Sequence, residues 1–319
     1  GLFMKNGTKK AIFLSAATLA GMYAYNKFIE SVATSKNILT TGNGDYYEWK
    51  NGDIFYTKGG EGSPVLLVHD ANTSSSSYEW NMIVKRLEKK HTVYTIDLIG
   101  CGRSDKPGYN YTNYLYVQLI TDFINDVIGE KVTVIASNLS ASFVLMANQM
   151  TSDLFHKMIF INPVSIKKME LVPDAVCKIK QRFFSIPIIG EFFYNIFSNP
   201  LHIDLAFRER YYNSSMLISH KTQDAYYEAA HLGEGNGKYL FGSLLGNYMN
   251  TNMKLALKNA ENIYIIGSRD LRGNMDILDD YHKVNKNVEI TMLSNCKLYP
   301  QLEIPEKVCS ILNSYLEEA

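Results

Sequence analysis

One short run, Val132-Thr133-Val134-Ile135-Ala136-Ser137-Asn138-Leu139-Ser140-Ala141, holds the residues best placed to do chemistry. Val132 to Ala136 read as a buried strand, and the small residues after it let a helix follow at close quarters. A strand that turns this sharply into a helix lifts one side chain out at the tip, where a Ser can serve as a nucleophile. With Asn138 at the tip, its neighbours two positions before and after are Ala136 and Ser140, both small. Asn also tolerates a positive φ better than most non-Gly residues. Asn138 at the tip is therefore the preferred register. The alternative sets Ser140 there, between Asn138 and Ser142, and restores a hydroxyl at the expense of a strand two residues longer. Ser137 fits least, because strand alternation points it away from the side that Asn138 faces.

The elements that would hold this turn follow from apolar patterning. Ile54–Gly60 reads as a strand ending in a glycine turn, and Val65–Val68 as a central parallel strand. Trp80, Ile83, Val84 and Leu87 mark one face of a helix, Thr92–Asp97 the next strand, and Val117–Ile128 the next helix. Strand and helix alternate, the signature of a mostly parallel sheet flanked by helices, the α/β class. A chain of 319 residues can bury the core of such a domain. Lys plus Arg and Asp plus Glu balance at 32 each, which removes the electrostatic case for nucleic acid. Four cysteines, Cys101, Cys177, Cys296 and Cys309, show no CxxC or metal spacing and read as reduced thiols. One or two disulfides stay open if the domain lies outside the cytosol. No metal and no cofactor is expected.

The N-terminal 40 residues stand apart. Lys5, Lys9 and Lys10 precede the apolar run Ala11–Tyr25, which reaches the length of a membrane span only if extended through Ile29. An uncleaved membrane anchor is the preferred reading. A signal peptide cleaved near Ser31-Val32-Ala33 and a soluble amphipathic helix are the alternatives. The basic flank would keep that end in the cytoplasm, but Lys27 and Lys36 weaken the bias and leave the side of the membrane open.

Several further segments carry a resemblance. Val65-Leu66-Leu67-Val68-His69-Asp70 resembles a strand ending in His-Gly. Asp97-Leu98-Ile99-Gly100-Cys101-Gly102-Arg103-Ser104-Asp105-Lys106-Pro107 resembles a D-x-x-G-x-G-x-S-D loop. Ile159-Phe160-Ile161-Asn162-Pro163, Ile263 to Asp270 and Leu302-Glu303-Ile304-Pro305-Glu306 complete the series in order. Together they resemble the α/β-hydrolase superfamily, in its capped forms such as esterases, lipases and epoxide hydrolases, over residues 41–319. In that pattern Asn162 falls 24 residues after the nucleophile, which again places Asn138 in the nucleophile's position.

The resemblance implies the remaining roles. Asp270 stands at the position of the acid that orients a catalytic His. In Lys297-Leu298-Tyr299-Pro300-Gln301-Leu302-Glu303 the His position is held by Leu298. Leu139 and Ala71 would supply the backbone N–H groups of the oxyanion hole. Asp70, where the family has Gly, would repel an oxyanion or else cap the polar loop 72–77. His69 is read as a packed strand-end residue, with a replacement His69–Asp70 acid–base pair as the alternative. His69, Asp70, Phe183, Phe184 and Tyr299 are expected around the pocket. An inserted helical cap is expected at about 164–258, whose aromatic run Phe183–Phe197 would either roof an apolar pocket or pack the cap onto the main domain. Tyr211-Tyr212 and Tyr226-Tyr227 would rim the same pocket. The expected function is a fold member with an incomplete triad, inactive or weakly active, that binds an apolar or lipid-like molecule or a partner. The alternative is an active ester hydrolase working through Ser140.

Overall fold

The apolar runs pair into one sheet. Its strands are β1 (Asp45–Trp49), β2 (Gly52–Gly59), β3 (Ser63–Val68), β4 (His91–Ile96), β5 (Val132–Ser137), β6 (Phe155–Ile161), β7 (Ile263–Ser268) and β8 (Glu289–Leu293). The spatial order is β1-β2-β4-β3-β5-β6-β7-β8 in this computed structural model, which describes residues 5–318. The outermost residues of the expected segments, 1–4 and 319, lie outside it. β1 pairs antiparallel with β2, and β2 with β4; all other pairings are parallel.

Alternation along each central strand feeds two layers of core. Leu66, Val68, Val134, Ala136 and Phe160 face one side, with Phe123 and Phe143. Val65, Leu67, Ile135, Ile159 and Ile161 face the other, with Trp80, Leu87, Val308 and Leu312. Each such fully buried aliphatic chain contributes about 1.5–3 kcal/mol relative to exposure.

The helices, in chain order, are α1 (Asn6–Ala33), α2 (Val84–Leu87), α3 (Asn113–Phe123), α4 (Ser140–Met150), α5 (Ala175–Phe184), α6 (Ile189–Phe197), α7 (Pro200–Ala206), α8 (His220–His231), α9 (Gly237–Leu245), α10 (Lys254–Asn259), α11 (Asn274–Val284), α12 (Pro300–Glu303) and α13 (Pro305–Glu317). The insert between β6 and β7 carries α5 to α9, while α10 packs back against α4 and α11. Two sequence expectations need correction. The helix expected through Trp80–Leu87 is broken into a 3₁₀ turn, Ser77–Trp80, and the single turn α2. The Ser76 hydroxyl accepts from the Tyr78 N–H and starts that tight turn, although Trp80, Ile83 and Leu87 are all buried as their spacing requires. The helix expected over Val117–Ile128 begins earlier, where Thr112 caps the Leu115 N–H, and its last turn widens into a π-turn, Ile124–Ile128.

The N-terminal segment forms α1, and among the described residues no helix is long and apolar enough to cross a membrane. Its C-terminal part docks on the cap. Tyr25 meets Phe192 edge-on at 5.3 Å. The buried Asn26 donates from Nδ2 to the Ile188 carbonyl (3.1 Å) and accepts from Asn195 Nδ2 (3.0 Å). Ile188 occupies a γ-turn at φ 66°, ψ −57°, closed by the Ile189 N–H on the Pro187 carbonyl at 2.7 Å. That conformation is strained for a β-branched residue. Just beyond α1, the Ile38 and Leu39 N–H groups donate to Glu228 of α8 (2.9 and 2.5 Å), and the Leu39 carbonyl accepts from Arg103 of the main domain (3.2 Å).

Candidate active site beneath the cap

The carboxyl ends of β3, β5, β6, β7 and the loop after β8 converge under the cap. β5 is buried throughout and ends at Ser137. Asn138 then stands at φ 44° at the tip of the turn, and α4 begins two residues later. The turn is pinned from both sides. The Asn138 N–H donates to the Ile161 carbonyl (3.0 Å), and its own carbonyl accepts from Val164 (3.2 Å) and Ala141 (3.2 Å). Ser140 is fully buried inside the first helical turn, where its Oγ donates to the His69 carbonyl at 2.5 Å. Ser137 is likewise buried, within reach of Gln301 Nε2 at 3.4 Å.

Asp70 holds the centre of the site and is only 3% exposed. Its Oδ1 accepts the Leu139 N–H at 3.2 Å. Its Oδ2 accepts the Tyr299 hydroxyl at 2.6 Å and Asn138 Nδ2 at 3.2 Å. The carboxylate thus sits on the backbone donor at the start of α4, where negative charge is favoured. Tyr299 also accepts from Asn72 Nδ2 (3.2 Å), and burial together with the nearby Asp70 charge raises its phenol far above the ordinary value. The Asp70 N–H donates to Glu79 Oε1 at 3.1 Å. Burial and then Asp70's charge push the Glu79 carboxyl well above the usual range, which favours its protonated form.

His69 is committed on both ring nitrogens. Nδ1–H donates to the Asp70 carbonyl (2.7 Å), so Nε2 accepts the Leu98 N–H (2.9 Å). Burial holds the imidazole below its ordinary pKa and neutral. His69 does not line the cavity, which corrects its expected pocket place; it splints two strand-end loops. The glycine-rich loop serves the same end. Asp97 accepts from Ser77 N–H and from Arg103, and at Gly102 (φ 52°) a Cβ would stand 2.5 Å from Asp97 Oδ2.

On the opposite side of the site, Asp270 is exposed and its Oδ2 accepts the Asn295 N–H at 2.6 Å, as a loop cap. Leu298 is 2% exposed and packs with Phe207, Tyr226 and Leu302. Its loop is held by Asn162, which the sequence pattern marks as a strand end and a register point but not as a loop anchor. At φ 46°, Asn162 donates to Ser268 Oγ (2.9 Å) and to the carbonyls of Lys297 and Leu298 (both 3.0 Å). Its Oδ1 accepts from the Ser268 N–H and Asn274 Nδ2, both at 2.9 Å. A buried Asn that can adopt positive φ was the available signal.

The cavity over this floor has a volume of about 390 Å³ and is lined by Asp70, Ala71, Asn72, Asn138, Leu139, Leu298 and Tyr299, among others. A second chamber of about 200 Å³ adjoins it at Asn72, Tyr211 and Leu244. Tyr211 lines both chambers and Tyr226 the second; Tyr212 and Tyr227 line neither. Phe183 and Phe184 also line neither, which corrects their expected pocket place and agrees with the packing alternative. Phe184 packs edge-on behind Phe241 at 4.8 Å, and Phe183 lies against Phe193 at 5.3 Å, so these aromatic rings fill the cap's own interior. Among the described residues, no cluster of His, Cys, Asp and Glu could hold a metal ion.

The sequence pattern of the alpha/beta hydrolase family matches residues 65–241. The chain belongs to this family. It is 29% identical over 121 residues to a haloalkane dehalogenase of Agrobacterium fabrum, a stretch covering 37% of this chain and 39% of that one. A cis-3-alkyl-4-alkyloxetan-2-one decarboxylase of Shewanella oneidensis is 45% identical over 67 residues, 20% of each chain. The chain thus spans at most about two-fifths of the length of these curated relatives. A serine hydrolase involved in carbazole degradation shares the fold with a TM-score of 0.69 at 15% identity, over 86% of this chain and 98% of that one. The epoxide hydrolase CorEH shares it with a TM-score of 0.67 at 19% identity, over the same shares.

Proposed function

We propose that this member of the α/β-hydrolase family binds a small molecule beneath its cap without turning it over. The observation that carries the reading is the Asp70 carboxylate on the Leu139 N–H. That donor would stabilise an oxyanion in a working site, and a negative charge already satisfies it. Asn138 at the tip offers an amide in place of a nucleophile, and Leu298 offers no proton carrier. Ser140 gains no support as a substitute nucleophile, because its hydroxyl is buried and directed at the His69 carbonyl.

The test is a fluorophosphonate probe together with short acyl esters. The native chain should neither label nor hydrolyse. Asn138→Ser with Leu298→His and Asp70→Gly should gain slow esterase turnover, while single changes gain little, since nucleophile and base act as a unit. Native labelling that disappears in Ser140→Ala would overturn the reading.

We also propose that α1 touches a membrane surface. Phe13 and Leu14 are 72% and 63% exposed one turn beyond Lys9 and Lys10. Amphipathic contact of this kind needs no span. The chain should float with anionic vesicles, and Phe13→Glu with Leu14→Glu should release it; equal flotation of both would refute the contact.

A further inference from the structure

The two chambers differ in kind. The first is ringed by charge: besides Asp70, its charged lining residues are Lys168, Arg210 and Arg272, all cationic. Asp70 forms no ion pair with any of them; its oxygens accept from Leu139, Tyr299 and Asn138. Among the described residues none of the three cations forms an ion pair. Neighbouring amides are committed elsewhere. Asn250 Nδ2 donates to the Lys168 and Leu171 carbonyls, and Asn72 bonds Tyr299 and the Ser74 N–H. The three exposed cations are therefore the lining charges of this chamber left without an ion-pair partner among the described residues. The second chamber is chiefly apolar, with Phe197, Ile203, Ala206, Phe241 and Leu245 on its walls.

Resting on the ligand-binding reading above, we infer that the ligand is an amphiphilic carboxylic acid. Its carboxylate meets Lys168, Arg210 and Arg272, and its apolar tail runs past Tyr211 into the second chamber. A carboxylate suits the planar donor fork of Arg, and apolar walls reward a tail that leaves water. A neutral molecule would leave the three like charges of this lining without a counter-ion. The head stays away from the elbow, because the Asp70 carboxylate repels it.

The experiment is calorimetric titration of the full chain with decanoate, decanol and acetate, repeated for Arg210→Gln with Arg272→Gln and for Ala206→Phe. All three altered residues lie at or near the surface of the cavity and leave the Asp70 network intact; a thermal melt confirms folding. Decanoate should bind, acetate should not, and decanol should bind at least about tenfold more weakly. The double Gln variant should erase the difference between decanoate and decanol, and raised salt should act in the same direction. Ala206→Phe should weaken both long-chain probes. Equal binding of decanoate and decanol by the native chain would overturn the carboxylate assignment yet leave a ligand pocket in place. No binding of either would overturn this inference, whereas ester turnover in the native chain would overturn the non-catalytic reading instead.

Discussion

The two sides of the strand-end floor differ in what their side chains do. On the β3–β5 side, the polar pair Asp70 and Asn138 faces the cavity, reached by the Tyr299 hydroxyl from the loop after β8. On the β7–β8 side, Leu298 is part of an apolar cluster and Asp270 turns outward to cap its loop. Both sides are pinned equally well in the backbone, by the elbow's paired bonds on one and by Asn162 on the other. Backbone architecture and side-chain chemistry are therefore separable in this site. The elbow keeps its strand–turn–helix geometry, and on the function proposed above the groups around it would hold a molecule and not cleave it.

The largest effect should come from the polar side. Asp70→Ala leaves the Leu139 N–H, the Tyr299 hydroxyl and the Asn138 amide without their acceptor, and should cost about 2–4 kcal/mol in denaturant unfolding. Asp70→Asn keeps the shape and should recover part of that loss. A cost under about 0.5 kcal/mol for the Ala variant would mean the network does not hold this side together.

The next effect is on pH dependence, and its two components have opposite signs. His69 and His231 are buried with lowered pKa, His231 to about 4, because burial disfavours the imidazolium. The unfolded chain takes up these protons near pH 6.5 and the folded chain does not, so stability present above that pH falls on acidification toward about 4. The slope is up to about 1.4 kcal/mol per pH unit for each ring. Glu79 is raised, so its contribution is complete below the ordinary Glu value of 4.5 and declines as pH rises through its folded pKa. Glu79→Gln should remove that decline and make the protein relatively more stable at pH 8 than at pH 5. A parallel shift of the whole profile would show that Glu79 is ionised in the fold.

The smallest effect belongs to the outward side. Asp270→Ala removes one exposed cap and should cost about 0.5 kcal/mol, with no change in decanoate binding. A larger loss, or altered binding, would tie Asp270 to the site and erase the contrast between the two sides.

Much of the sheet is readable in the sequence because a central parallel strand has to be apolar on both faces, as Val65–Val68 and Val132–Ala136 are. The elbow is readable because only small neighbours and a residue tolerant of positive φ fit the turn. The Asp70–Tyr299 bond is not readable: the partners lie 229 residues apart and neither has a local pattern. The three mouth cations come from three distant segments, each of which looks like ordinary surface charge. Phe183 and Phe184 mislead for a different reason. A dense aromatic run marks them as apolar, but it does not distinguish rings that line a cavity from rings that pack behind its wall, and here Phe184 stands behind Phe241.

The stretch from Asn26 to Leu39 has a consequence for kinetics. It ties α6 and α8 of the cap to α1 and, through Leu39 and Arg103, to the loop after β4. It also clamps Ile188 in a strained turn, a conformation that persists only where its surroundings enforce it. A cap tethered at this edge does not swing away as a rigid door without breaking buried bonds. If a molecule binds as proposed, its exchange would proceed through local motions of cavity-lining side chains such as Arg210 and Tyr211. Its off-rate should follow their rotamer dynamics, not a slow hinge.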